Sequence, residues 1–323
     1  MEAITDCKQL LDSCRTEMAR RVVGQQEVVN GILTAAISGG HILLEGAPGL
    51  AKTLAVKTFA DIAGLDFKRI QFTPDLLPAD VSGTLVYNQA EGHFSVRKGP
   101  VFANVILADE INRAPAKVQS ALLEAMAEHQ VTIGEQTYPL PEPFIVLATQ
   151  NPIEQEGTYN LPEAELDRFL LKVIVPYPSP KEELAIVKTQ GAAERIAVHQ
   201  VLSAQSIAQC RAAANAVSCD DKLIEYIVSL VAVTRSSADT NKNRTEIDKY
   251  ISFGASPRAG IALLQCAKAA ALLAGRDFIL PEDIKAVAKP VLRHRLVLSY
   301  EAAADGVTAD DIIGRIADFL PLP

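Results

Sequence analysis

Between positions 41 and 175 the chain alternates short, nearly unbroken apolar runs with stretches whose apolar residues recur at helical spacing. The runs His41 to Glu45, Phe67 to Phe72, Val105 to Ala108, Phe144 to Thr149 and Leu171 to Val175 mostly lack polar alternation, so they read as strands buried on both faces. Between them, Leu54, Ala55, Thr58, Phe59 and Ile62 make one helical stripe, and Val118, Leu122 and Met126 make another. Core packing is the plain account of both stripes. Strands alternating with helices predict an α/β fold, a parallel sheet lying between helices.

Two segments break this alternation with period-2 patterning. Thr84 to Tyr87 and His93 to Arg97 flank the loop Asn88 to Gly92, and Gln130 to Ile133 and Thr137 to Leu140 flank Gly134 to Gln136; each predicts a β-hairpin. Pro176, Pro178 and Pro180 then end the alternating region, because such a proline cluster continues neither a helix nor a central strand. Beyond it the pattern is helical. Ser203 and Asp220 precede helices running to Ala214 and Val233, Ser256-Pro257 and Pro281 open two more, and Thr308 with Asp311 resembles a capping box. The expected organisation is a core over 1–175, a linker over 176–190 and an all-helical domain over 191–323.

Composition narrows the class. Of 323 residues, 49% are hydrophobic and 22% charged, as in ordinary globular proteins and unlike disordered or fibrous ones. A net charge of −8 argues against an obligate nucleic-acid partner, which requires a basic face. The N-terminal stretch develops no signal-like apolar segment, and Glu225 and Ser229 interrupt the longest apolar run, so no membrane span is expected and the setting reads as cytoplasmic. Cys7, Cys14, Cys210, Cys219 and Cys266 show neither C-x-x-C spacing nor a histidine at zinc spacing, and they read as reduced and buried. His41, His93, His129, His199 and His294 are scattered and read as structural or exposed rather than as ligands.

The candidate chemistry begins at the first strand. His41 to Thr53 reads as strand, glycine-rich turn and helix start, the layout of a phosphate-binding loop. In Gly46-Ala47-Pro48-Gly49-Leu50-Ala51-Lys52-Thr53-Leu54, backbone amides would surround the β-phosphate, Lys52 would reach the β- and γ-oxygens, and the Thr53 hydroxyl would ligate Mg²⁺. Ala51 stands where the strict pattern has glycine. An ordinary turn is the competing account.

Downstream, the strand Val105 to Ala108 ends in Asp109-Glu110. At the carboxyl edge of a parallel sheet, Asp109 would help hold Mg²⁺ and Glu110 would polarise the attacking water; a plain helix cap is the alternative. If the strand Phe144 to Thr149 inserts between the first strand and the Asp109 strand, Asn151 faces the same water, although Asn151-Pro152 also fits a turn opener.

The succession Gly46 to Thr53, Asp109 to Pro115, Ala148 to Pro152, Leu161 to Phe169 and Gly254 to Ala259 resembles the signatures of the MoxR family of AAA+ ATPases, in which alanine before the lysine is expected. The resemblance implies a P-loop NTPase core of the AAA+ type followed by a helical lid, with ATP and Mg²⁺ as cofactors. It implies Walker A roles for Lys52 and Thr53, Walker B roles for Asp109 and Glu110, and sensor 1 for Asn151. Arg168 would be the arginine finger of a neighbouring subunit and Arg258 the lid's sensor 2. Val22, Val23 and Gly24 would line the adenine pocket, and the two hairpins would be the helix-2 insert and the pre-sensor 1 hairpin. Family membership further implies a homo-oligomeric, hexameric ring and protein clients or adaptors with von Willebrand factor A domains. A cation in a first helical turn opposes the helix dipole, so Arg258 makes most sense facing an anion. Local roles compete at each arginine: an ion pair of Arg168 with Asp167, a solvated first-turn side chain at Arg258, and a surface position for Arg113.

The function that follows is ATP hydrolysis that drives remodelling or maturation of partner proteins. A nucleic-acid motor is the alternative, disfavoured by the acidic balance and sparse aromatic residues, although Arg97 and Lys98 beside Phe94 form a small basic patch. A GTP-binding switch would read Asp80 to Gly83 as D-x-x-G and Asn241 to Arg244 as N-K-x-D, but the former follows no strand and the latter ends in arginine. A non-hydrolysing scaffold leaves Glu110, Asn151 and Arg168 without a purpose.

Overall fold

The computed structural model describes residues 2–89, 92–152, 157–190, 196–235 and 245–322. Its first half contains helices α1 (Glu2–Ala19), α2 (Gln26–Ser38), α3 (Lys52–Ala63), α4 (Pro78–Ser82), α5 (Ala116–Glu128) and α6 (Glu163–Leu166). The strands are β1 (Ile42–Glu45), β2 (Phe67–Gln71), β3 (Gly83–Asn88), β4 (His93–Lys98), β5 (Val105–Asp109), β6 (Gln130–Ile133), β7 (Gln136–Pro139), β8 (Ile145–Gln150) and β9 (Leu171–Ile174).

Five of these strands form one parallel sheet in the order β2-β5-β8-β1-β9. All five apolar runs are therefore strands, and the run ending at Thr149 does insert between β1 and β5. Alternate residues serve opposite faces, as the pleat requires. Ile42, Leu44, Val105, Leu107, Ile145 and Leu147 pack into the core shared with α1, α2, α3 and the second half of the chain. Leu43, Ile106, Ala108, Val146 and Ala148 pack on the other side, with α5 and the β6–β7 hairpin. Central strands with both faces covered leave no place for polar alternation, which is why they read as continuous apolar runs.

The helical stripes are core-facing. Phe59 on α3 and Leu122 on α5 are fully buried, and each such side chain contributes about 2–3 kcal/mol of apolar transfer. Both hairpins form, β3 with β4 and β6 with β7, each as a separate two-stranded antiparallel ribbon. The loop residues Ala90 and Glu91 of the first lie outside the described residues.

The second half comprises α7 (Pro180–Gln190), α8 (Ala204–Ala216), α9 (Asp221–Val233), α10 (Thr245–Asp248), α11 (Pro257–Leu273), α12 (Pro281–Leu292), α13 (Tyr300–Ala304) and α14 (Ala309–Phe319). Its caps are those the sequence indicates. Ser203, Asp220, Ser256 and Thr308 each accept a backbone N–H at a helix start. The helices are joined by a short antiparallel ribbon of β10 (Ile251–Phe253) and β11 (Val297–Leu298), too brief to show as a strand pattern. Helices α8, α9, α11, α12 and α14 share the large core with α1 and α2, so a continuous apolar seam runs from the sheet into the helical half. All five cysteines are free thiols, four of them buried and Cys219 half-buried. No helix is long and apolar enough to cross a membrane among the described residues.

Candidate nucleotide site

The phosphate loop leaves the carboxyl end of β1. Gly46 is pinned there, its N–H donating to the Gln150 carbonyl at 3.2 Å. A side chain at Gly46 would come within 2.8 Å of the Val175 carbonyl, so only glycine lets the loop pass between the ends of β8 and β9. Ala47 and Leu50 are buried and anchor the turn, while Pro48 and Gly49 are exposed at its tip. Gly49 (φ +84°) and Ala51 (φ +57°) both adopt left-handed backbone. The position where the strict pattern has glycine thus keeps a glycine-like conformation, with alanine accepting the strain. Lys52 and Thr53 open α3, and the Lys52 ammonium donates to the Gly46 carbonyl at 2.5 Å, tying the two ends of the loop. Burial lowers the Lys52 pKa, opposed by the negative charges of Asp109, Glu110 and Glu45.

The acidic pair lies one strand away, at the end of β5. Asp109 Oδ1 accepts from the Thr149 hydroxyl on β8 at 2.6 Å, and the same hydroxyl accepts the Glu110 N–H at 2.8 Å. Asp109 Oδ2 accepts from Arg69 Nε (3.0 Å) and Nη2 (2.5 Å) on β2. Glu110 Oε2 accepts from Gln71 Nε2 at 3.0 Å and pairs with Arg113 Nε at 2.9 Å. Glu110 has φ +56° and ψ 50°, a conformation unfavourable for a side-chain-bearing residue and characteristic of functional positions held by their surroundings. Asn151 follows β8 and is buried at 6% exposure. The Thr53 hydroxyl and the Asp109 carboxylate are hard oxygen donors of the type that suits Mg²⁺. Thr149 fixes one carboxylate oxygen, and Arg69 marks the other as a cation-binding atom.

Val22 to Gly24 join α1 to α2 beside α3, where Arg21 pairs with Asp61 at 2.8 Å. Gly24 (φ +73°) lies so close to Glu182 in the first turn of α7 that a side chain would meet it at 2.6 Å. The segment assigned to the adenine pocket is thereby bordered by the proline-rich linker.

The two remaining arginines lie elsewhere. Arg168 precedes β9, whose Leu171 is in register with Ile42, so it sits at the amino edge of the sheet, whereas the phosphate loop leaves the carboxyl edge. The four residues of β1 separate those edges by roughly 10 Å or more. Arg168 Nη1 donates to the Leu123 carbonyl on α5 at 2.9 Å. Arg258, in the first turn of α11, joins Arg168 in lining a cavity of about 290 Å³ together with Met126, Ala127, Glu128 and Asp167. The structure therefore brings Lys52, Thr53, Asp109 and Glu110 together, and separately brings Arg168 and Arg258 together.

Asp167 organises that second cluster. It accepts from the Ser256 hydroxyl at 2.8 Å and from Arg295 Nε at 2.7 Å, and Arg258 Nη1 lies 4.0 Å away. Arg295 also donates to the carbonyls of Phe169 at 2.7 Å, Leu170 at 3.1 Å and Val291. Its side chain is only 3% exposed. Burial lowers its pKa, offset chiefly by Asp167. The local pair considered for Arg168 is therefore made instead by Arg295. Sequence reading missed Arg295, as it missed Arg69 and Gln71; the only signal was the cation-rich run Arg293-His294-Arg295, and the acid that Arg295 meets, Asp167, lies 128 residues away.

The histidines bear out a structural reading where buried. His41 Nδ1 accepts the Val146 N–H at 3.0 Å and His41 Nε2 lies 3.2 Å from the Met126 carbonyl; burial pushes its pKa down to about 4. Among the described residues no cluster of His, Cys, Asp and Glu has metal-holding geometry. Asp80 to Gly83 lies on α4 and its end, not after a strand, and Asn241 to Arg244 lies outside the described residues.

A phosphate loop on β1, an acidic pair on β5 and a polar strand end on β8 between them define a P-loop nucleotide-binding core carrying a helical lid. The model of the ATPase family associated with various cellular activities (AAA) matches residues 41–171, and that of the AAA lid domain matches 243–316. The chain is 48% identical to Chaperone MoxR1 of Mycobacterium tuberculosis, over 95% of this chain and 81% of the relative. It is 30% identical to Protein MoxR of Methylorubrum extorquens, over 99% and 97% respectively. A crystal structure from Cytophaga hutchinsonii, of a protein designated only provisionally an ATPase, superposes with a TM-score of 0.93 at 48% identity, covering 100% of this chain and 97% of that one. The chain belongs to the MoxR family of AAA+ ATPases.

Proposed function

We propose that this protein hydrolyses ATP at sites completed between subunits of a homo-oligomeric, hexameric ring, and uses the cycle to remodel or mature partner proteins. The observation that carries this reading is the separation of the phosphate loop from Arg168 and Arg258 to opposite edges of one sheet. With the two sets at opposite edges in this chain, a site completed by a neighbour is supported: in a head-to-tail ring the amino edge of one subunit would face the carboxyl edge of the next.

Within such a site the loop amides and Lys52 hold the β- and γ-phosphates, and Val22, Val23 and Gly24 border the adenine. Thr53 and Asp109 would hold Mg²⁺, which neutralises charge on the phosphate oxygens when bound. Glu110 accepts the proton of the attacking water through a carboxylate held by Gln71 and Arg113. Asn151 orients that water. The neighbour's Arg168 and Arg258 stabilise charge on the transferring phosphoryl group, so turnover depends on subunit contact. The lid follows because Asp167 ties it to the segment carrying Arg168. Similarity to a chaperone supports protein partners; adaptors with von Willebrand factor A domains and a cytoplasmic setting are part of the same proposal.

Replacing the base tests the reading. Glu110→Gln keeps the size and the hydrogen-bond chain but cannot take a proton, so it should bind ATP like the parent and lose at least ~100-fold in turnover. Undiminished hydrolysis would remove Glu110 from the mechanism.

A further inference from the structure

Both carboxylates at the end of β5 are held by residues of the edge strand β2, with Thr149 of β8 and Arg113 of the turn after β5 completing the set. Arg69 closes on Asp109 Oδ2 with two nitrogens, and its Nη2 also donates to Gln71 Oε1 at 2.7 Å. Gln71 passes the chain on to Glu110, which Arg113 holds from the other side. Thr149 donates one hydrogen bond to Asp109 Oδ1. Asp109 is 13% exposed; the two guanidinium donors take up Oδ2, and Oδ1 keeps one acceptor site beside its bond from Thr149. Arg69 is 49% exposed on the strand that ends the sheet's order among the described residues.

We propose that Arg69 gates the metal-binding carboxylate: its guanidinium occupies Asp109 Oδ2 and puts a positive charge against the group a metal would approach, and it admits a metal–nucleotide complex in preference to the free dication. The inference rests on the reading of Asp109 as a metal ligand.

The discrimination follows from charge. A free dication that displaces Arg69 leaves the guanidinium unpaired next to a doubly positive ion, with Lys52 adding a third positive group nearby. A metal–ATP complex carries net negative charge, so its phosphate oxygens offer the displaced guanidinium a new anionic partner with matching two-nitrogen geometry. Arg69 can make that move because it stands half in solvent on an edge strand and, among the described residues, its side-chain bonds go to Asp109 and Gln71. The apparent affinity for free metal is the intrinsic affinity multiplied by the fraction of molecules in which the ion pair is open.

The test is titration of the nucleotide-free, full-length protein with Mn²⁺ alone, followed by electron paramagnetic resonance, for the parent, Arg69→Gln, Arg69→Lys, Asp109→Asn and the Arg69→Gln/Asp109→Asn double variant. Arg69→Gln is expected to bind Mn²⁺ about tenfold more tightly or better, with Arg69→Lys between it and the parent. Asp109→Asn should cancel the gain. With Mn²⁺ supplied as its complex with a non-hydrolysable ATP analogue, the advantage of Arg69→Gln should shrink severalfold. Equal Mn²⁺ affinity in the parent and Arg69→Gln, with Asp109→Asn weakening both, would overturn the gate and leave the ligand assignment standing. A gain that survives Asp109→Asn would overturn the ligand assignment, and the gate with it.

Discussion

Lowering the pH should loosen the amino edge of the sheet through one residue, His41. The ring is 4% exposed, with Nδ1 accepting from Val146 and Nε2 against the Met126 carbonyl. Protonation would destroy the acceptor at Nδ1 and place a buried charge near His129 and Arg211, both of which oppose it. Burial is the main reason its pKa falls from the ordinary 6.5 to about 4. Because the folded value is depressed, the unfolded chain binds the proton more readily between these pH values. The stabilisation is complete above pH 6.5 and is lost as pH falls toward 4. Linkage between those two values gives about 2 kcal/mol lost from pH 7.5 to 5.0, and about 3 kcal/mol in full below pH 4. His294 is buried with its pKa also depressed and adds to the loss in the same direction. The assay is urea unfolding at both pH values for the parent and His41→Asn, whose side-chain oxygen can replace Nδ1 as acceptor. The parent should lose about 2 kcal/mol more than the variant between pH 7.5 and 5.0. Equal losses would refute the assignment, as would a parent that is insensitive to pH over this range.

Two further perturbations bear on how the site is held. Arg295→Met leaves the Asp167 carboxylate without its buried cation and releases the carbonyls of Phe169 and Leu170, so urea unfolding should show about 3 kcal/mol of destabilisation, and a loss below about 1 kcal/mol would contradict the latch. At Ala51, whose φ of +57° suits glycine, Ala51→Gly should change stability by less than about 1 kcal/mol and Ala51→Val should cost more than about 1 kcal/mol; equal melting temperatures for the two variants would remove the backbone argument.

The fold was legible where its physics is local. Strands buried on both faces wrote themselves as apolar runs, and Ser203, Asp220, Ser256 and Thr308 announced helix starts through the hydroxyl and carboxylate groups that cap them. The placement of β8 between β1 and β5 stood in the sequence only as the condition for Asn151 to face the same water, and the sheet order meets it. What remained hidden depends on long-range partners. Arg69 reads in sequence as one cation in a short strand, and its meaning appears only when Asp109, forty residues on, lies beside it. Arg295 meets Asp167 across 128 positions. The β10–β11 ribbon is too short to carry a period. The positions of Arg168 and Arg258 at the far edge of the sheet follow from which end of β9 the chain enters, a matter of topology that no motif contains.

The central claim is that each active site is shared between subunits, and mixing two inactive variants tests it most directly. Lys52→Ala abolishes the phosphate loop and keeps the arginine edge; Arg168→Ala does the reverse. Each alone should be close to inactive. Co-assembled at equal ratio from unfolded or dissociated chains, random mixing pairs an intact loop with a neighbour's intact arginine at about a quarter of the interfaces, so ATPase activity should return to that order relative to the parent. A mixture no more active than its components, in rings shown to contain both variants, would contradict the account.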